Sequence, residues 1–254
     1  MADATGWTSV PRRSKKSSHR QQPIPAGGGL LSSSSSFPAP LRNLTLESLQ
    51  RDFDAKTKQW QKTACRKQLL KQIDWAVDAR EKKMMMFRRY ICIGTGSLSR
   101  DNVECQRRSM WQTVVFLDDD DDDDDTTTTS GIWASDPAYT ELDVAFFQTK
   151  GVEVLPIEKS ETGLGKKTTS RLRDSTLLYE PFVDMNASML RDIIQNEIDI
   201  YIGSSVGGLQ ERQGEVGELA RQFCVGRTMR KFPTFECDPN VFDGMGIYWK
   251  ENVD

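Results

Sequence analysis

The sequence predicts a mainly parallel, doubly wound α/β sheet preceded by an N-terminal helical extension. Two observations carry this. From Arg88 onward, short apolar runs alternate with segments of ten or more residues at helical spacing, the pattern of parallel strands joined by crossover helices. Several of those runs, Ile91–Ile93 and Leu177–Tyr179 among them, lack inside/outside alternation, as strands covered on both faces do.

Taken in order, residues 1–42 read as a disordered basic, Ser-rich tail. Arg12, Arg13, Lys15, Lys16 and Arg20 form a basic cluster, followed by Gly27–Gly29 and Ser32–Ser36. Such a stretch offers too little apolar surface to offset its chain entropy. It reads as a solubilising tail, with a nuclear-import signal or a weak polyanion contact as the alternative. Residues 43–83 read as a helical extension. Leu69, Ile73, Ala76 and Val77 share one helix face, Trp60 and Trp75 add bulk, and Asn43 or Thr45 can cap the start. A cover helix on the domain is the first reading and a partner-binding helix the second.

Residues 84–240 read as the α/β domain. Strands are expected at 89–93, 131–135, 152–157, 175–179, 198–202 and 231–236, and helices at 102–117, 139–150, 185–196 and 210–223. Gly151 supplies the stop of the second helix, and residues 241–254 read as a C-terminal tail. One segment interrupts the plan. Asp118–Asp125 is an unbroken acidic run followed by Thr126–Thr129. Adjacent carboxylates repel one another, so residues 118–130 are expected to form an inserted solvent loop. Calcium loops space their ligands and include a turn glycine, so a calcium contact is the lesser reading, as is a basic-protein contact.

Composition removes several function classes. The 254 residues carry a net charge of −3, which argues against bulk or specific nucleic-acid binding. No apolar run approaches the roughly 20 residues of a membrane helix, and Met1–Val10 lacks the apolar core of a secretory signal. The five cysteines, Cys65, Cys92, Cys105, Cys224 and Cys237, are odd in number and never stand two residues apart. Reduced thiols in a cytoplasmic or nuclear protein without structural zinc are expected. The single histidine, His19, lies in the tail, a poor place for imidazole catalysis or metal binding.

The strongest local signal is Gly94-Thr95-Gly96-Ser97-Leu98-Ser99, between the first strand and the first helix. Glycines there permit a tight turn and a close ligand approach, and the helix N-terminus offers N–H groups to a phosphate or carboxylate. Ser97 and Ser99 can add hydroxyl donors or cap the helix, and Ser99 occupies the place of a third glycine. A glycine turn without a ligand is the competing reading. Asp136 ends the second strand, where Rossmann-like sites place an acid for a ribose; Asp136-Pro137 can equally start a turn or cap a helix. Tyr179 and Glu180 end the fourth strand, and Ser204 and Ser205 the fifth. In a parallel sheet these ends share the edge where ligands bind. Glu180 and Asp184 are candidate site carboxylates or plain loop residues. The expected site therefore comprises Gly94, Thr95, Gly96, Ser97, Ser99, Asp136, Tyr179, Glu180, Ser204 and Ser205, in a Rossmann-like domain. No nucleophile–base pair can be assembled, and no cofactor is named by these residues.

In their order, five segments make the chain resemble the SENSITIVITY TO RED LIGHT REDUCED family, a circadian-regulator-like domain. They are Trp7-Thr8-Ser9-Val10 with Arg12-Arg13, Ile93-Gly94-Thr95-Gly96-Ser97, Asp136-Pro137-Ala138-Tyr139, Ser175-Thr176-Leu177-Leu178-Tyr179 with Pro181, and Ile202-Gly203-Ser204-Ser205. The resemblance covers about residues 87–206 and the tail fragment. Many members carry a proline-histidine-cysteine step where this chain has Pro181-Phe182-Val183, so no role of that histidine transfers. Many also have asparagine where this chain has Ser204. Glu180-Pro181-Phe182 and Asp184-Met185-Asn186 look like a fungal-type member, and the aspartate run is not a family feature.

The resemblance implies a regulator: circadian input and light signalling in plants, with links to haem synthesis or the cytoskeleton elsewhere. Two functional readings follow. One is a regulatory protein whose scaffold binds a small nucleotide-type ligand, with a protein partner to receive the signal. The other is an enzyme using a nucleotide-type cofactor, a dinucleotide or S-adenosylmethionine.

Overall fold

The computed structural model describes residue 40 and residues 43–78, 89–100, 103–118, 131–157, 163–172 and 176–250. The basic tail, most of the acidic run and the last four residues lie outside that set.

Among the described residues, seven strands form one sheet in the order β3-β2-β1-β4-β5-β7-β6. β1 (Arg89–Ile93), β2 (Gly131–Ser135), β3 (Glu153–Val154), β4 (Thr176–Glu180) and β5 (Ile200–Ser204) are parallel. β7 (Met245–Lys250) runs antiparallel to both β5 and β6 (Arg227–Lys231). The α/β class and the mainly parallel sheet stand as expected. The C-terminal segment read as a tail instead contributes β7, and the strand expected at 231–236 lies earlier, as β6. A strand that returns directly beside its partner needs no crossover helix, so the βα rhythm does not announce it.

The helices are α1 (Leu46–Trp60), α2 (Ala64–Asp78), α3 (Val103–Phe116), α4 (Glu141–Thr149), α5 (Lys166–Thr169), α6 (Ala187–Gln195) and α7 (Glu215–Cys224). Strand side chains alternate between two cores. Cys92, Ala134, Leu177, Ile202, Ile247 and Trp249 face one core with α1 to α4, whereas Ile91, Ile93, Trp133, Leu178, Tyr201 and Tyr248 face the other with α6 and α7. Apolar residues on successive positions are therefore all buried, which is why these strands lack a polar face.

The helical extension is two helices, broken at residues 61–63. Thr45 closes a capping box with Ser48 on α1. The N-terminus of α2 is capped from the far end of the chain, where Glu236 accepts from the N–H groups of Ala64 and Cys65 at 2.5 and 3.3 Å. Leu49, Phe53 and Trp60 of α1 and Cys65, Leu69 and Ala76 of α2 are buried, so both helices cover the sheet as part of its core.

Asp118, the first residue of the acidic run, departs from the solvent-loop expectation. Both its oxygens accept from Arg66 Nε, at 3.0 and 2.9 Å, and its side chain is almost wholly buried. An arginine on α2 supplies the counter-charge that a run of identical charges lacks.

Candidate functional site

The reversal of connection direction between β1 and β4 opens a crevice at their carboxyl ends, the place where open α/β sheets bind ligands. A cavity of about 1000 Å³ lies there. Its walls are Ile93, Gly94 and Gly96 after β1, Ser135, Asp136 and Pro137 after β2, Ile157, Gly163 and Leu164 from the loops after β3, and Phe182, Val183, Asp184, Asn186, Ala187, Ser188, Met189 and Arg191 after β4.

The β1 loop turns through Gly94 and Gly96, at φ +77° and +72°. Both glycines are needed for the fold itself. A Cβ on Gly94 would collide with Val183 Cγ2, and one on Gly96 would lie 2.7 Å from Ser109 Oγ on α3. Five N–H groups of the loop are spent inside the protein. Gly94 N–H donates to the Ser135 carbonyl at 3.1 Å. Gly96 N–H donates to Asp136 at 2.8 Å. Leu98 N–H donates to Asp143 at 3.1 Å. The N–H groups of Ser99 and Arg100 reach Ser97 Oγ at 3.1 and 2.9 Å.

Asp136 and Asp143 are the acids that organise this loop. The second oxygen of Asp136 accepts from Ala138 N–H at 2.7 Å, the turn role that competes with ribose binding. Asp143 is fully buried and also accepts from Ser97 Oγ at 2.6 Å and Thr140 N–H at 2.8 Å. Burial pushes its carboxyl above the usual range, against the pull of those donors. Thr95 and Tyr139 pair through their hydroxyls at 2.7 Å, and Ser99 pairs with Thr140. Thr95, Ser97 and Ser99 are buried against α4's approach and do not line the crevice.

Across the crevice, Glu180 is fully buried at the end of β4. It accepts from Tyr201 Oη at 2.6 Å, Ser204 N–H at 3.1 Å and Val183 N–H. Burial dominates these donors and raises its pKa to about 7. It thus fixes the β4 loop from beneath. Tyr179 is buried as well, stacked on Phe116 with ring centroids 6.0 Å apart. Ser204 Oγ donates towards Val183 O at 3.3 Å, and Ser205 pairs with Tyr248. Of the residues the sequence singles out, Gly94, Gly96 and Asp136 line the crevice, whereas Thr95, Ser97, Ser99, Tyr179, Glu180, Ser204 and Ser205 do not. Asp184, the other candidate carboxylate, is exposed and does line it. The most prominent side chain missed from sequence is Phe182, 64% exposed, with the Arg108 guanidinium 5.1 Å from its ring centroid.

An SRR1 domain, the domain of sensitivity to red light reduced, matches residues 50–249, which is most of the chain and takes in most of α1, all of α2 and all but the last residue of β7. The chain belongs to the SRR1 domain family. The glycine loop, the Asp136 turn and the β4 loop around the crevice all fall within the matched SRR1 span. No curated protein is similar enough to this chain to count as a match. Among the described residues, no group of three or more His, Cys, Asp or Glu side chains is placed to hold a metal, and no helix is long and apolar enough to cross a membrane.

Proposed function

We propose that this SRR1-domain protein is a regulator that responds to a nucleotide-type small molecule bound in the crevice between β1, β2 and β4. The observation that carries the reading is the crevice itself. A cavity of about 1000 Å³ sits at the switch point of the sheet, with mainly apolar walls and a few convergent polar groups. The family supports the regulatory half of the reading. The side chains support binding over chemistry: of the carboxyl groups at this edge, Asp136 and Asp184 line the crevice, but Glu180, whose pKa of about 7 would suit proton transfer, lies behind its wall with its donors.

The test is a thermal-shift screen of the full chain against nucleotides, dinucleotides and S-adenosylmethionine, followed by titration of each hit. Ala187→Trp fills the crevice from the first turn of α6 and should abolish the binding of a true hit. A protein that no compound stabilises, or a hit indifferent to Ala187→Trp, overturns the proposal.

A further inference from the structure

β6 ends the sheet and, among the described residues, pairs with β7 alone. Just past β6, the Phe232 N–H donates to the Met245 carbonyl at 3.1 Å, which sets the alternation of this ladder. Thr228 and Arg230 turn their backbone groups to β7, and Arg227, Met229 and Lys231 turn theirs to the open side. The pairing runs residue for residue from Arg227 opposite Lys250 to Lys231 opposite Gly246, with no bulge, and the strand holds no proline. Two devices that spoil a free edge for pairing are therefore missing.

The surroundings of this edge are apolar and basic. Among the described residues, three of the five large apolar side chains left exposed, Trp75, Val225 and Met229, stand on or beside β6. Lys71 and Arg230 lie over the Trp75 ring, 5.0 and 4.1 Å from its centroid. Lys67, one turn before Lys71 on the exposed face of α2, and Lys231 extend the positive charge. Against these cations the described side chains of that face set one acid, Asp74.

The cations select among partners. Antiparallel pairing with a second copy, centred on Met229, would set Arg227 against Lys231, and like charges directly opposite each other destabilise a strand pair. A nucleic acid would meet the cations but leave the outward backbone groups without partners, whereas an extended peptide matches them. We infer that β6 accepts an acidic, extended segment of a partner protein as an added strand, with carboxylates opposite Arg227, Arg230 and Lys231 and an apolar residue on Met229. Neither β6 nor α2 contributes to the crevice lining, so the inference stands independently of the ligand proposed there.

Fluorescence anisotropy of the full chain with a labelled, end-blocked Glu-Glu-Val-Thr-Glu peptide tests it. In antiparallel register the glutamates face Lys231, Arg230 and Arg227, and the valine faces Met229. The peptide should bind, and Lys-Lys-Val-Thr-Lys should bind at least roughly tenfold more weakly. Methylating the valine nitrogen should also weaken binding roughly tenfold, because that N–H pairs with the edge. Arg230→Glu combined with Lys231→Glu, both exposed, should do the same while leaving the melting temperature unchanged. Met229→Pro removes an outward N–H and no bond to β7, so it too should weaken binding with the fold intact.

The inference is overturned if the peptide does not bind, or if the N-methylated peptide binds as well as its parent, since charge alone would then hold it. An oligothymidylate that binds more tightly than the peptide and is lost on the same charge reversal would make the surface a nucleic-acid site. A dimer in analytical ultracentrifugation that Met229→Pro dissolves would make a second copy the occupant. Peptide binding that emerges only after residues 119–130 are replaced by a Gly/Ser linker would make the chain's own aspartates the occupant. Each of these three results also overturns it.

Discussion

The two loops that face each other across the crevice are built on opposite principles. In the β1 loop Thr95, Ser97, Leu98 and Ser99 are buried, and the N–H groups of Gly94, Gly96, Leu98, Ser99 and Arg100 end on the protein's own oxygens. In the β4 loop Phe182 and Asp184 stand in solvent, while Glu180 anchors the loop from beneath. Val183 joins the two by packing over Gly94. The glycine signature therefore serves close packing of one loop on the other, and the β4 loop is the one that leaves side chains exposed on the crevice wall.

The largest expected effect comes from breaking the closed loop. Asp143→Ala removes the acceptor of Ser97 Oγ and of the Leu98 and Thr140 N–H groups, all buried. Orphaned buried donors cost about 1–3 kcal/mol each, and relaxation makes them non-additive, so a loss of about 4 kcal/mol is expected in denaturant unfolding. A loss below about 1 kcal/mol would mean that the loop is not held by this carboxylate.

Glu180 tests the anchor of the opposite loop. Its pKa rises from 4.5 to about 7 on folding, which at about 1.4 kcal/mol per unit corresponds to about 3 kcal/mol. The folded state then binds the proton more tightly than the unfolded chain. The stabilisation is complete below pH 4.5, is lost as pH rises towards 7, and changes no further above that. Stability measured between pH 4.5 and 7 should fall with this slope, and Glu180→Gln should flatten it. An unchanged slope in the variant would assign the effect to other groups, with Asp143, whose pKa shifts in the same direction, the first to examine.

Gly96→Val should come next, with a loss of about 2 kcal/mol from positive φ and the contact with Ser109. Gly96→Val combined with Ser109→Ala should recover part of it. Full recovery would leave no backbone strain, and no recovery would leave no packing conflict.

These contrasts explain what the sequence reveals and what it hides. Periodic apolar runs mark β1, β2, β4, β5 and the helices between them, because burial on both faces writes itself into every residue of a strand. β3 shrinks to Glu153–Val154, since an edge strand needs few partners. The glycine loop and Asp136 are legible as a turn and an acid, but sequence spacing cannot say whether an N–H meets a ligand or a carboxylate 40 or more residues away, as in Gly96 with Asp136. Phe182 carries no periodic signal at all. It lies in a loop after β4, and only the fold brings it beside the β1 and β2 ends.

The smallest expected effect sharpens the comparison most. Phe182 is 64% exposed, and the Arg108 guanidinium lies 5.1 Å from its ring centroid. Removing it should change stability by no more than about 0.5 kcal/mol, as for surface positions generally. An exposed cation–π pair adds at most about 1 kcal/mol, so even its complete loss leaves the fold intact. Thermal unfolding of Phe182→Ala and of the wild type without ligand should therefore coincide within a degree or two. With ligand present the two curves should separate, because the ring contributes only when something stacks on it. A clear drop in the melting temperature of ligand-free Phe182→Ala would show that the ring packs on the domain. The β4 loop would then be as closed as the β1 loop, and the division of labour between them would be lost.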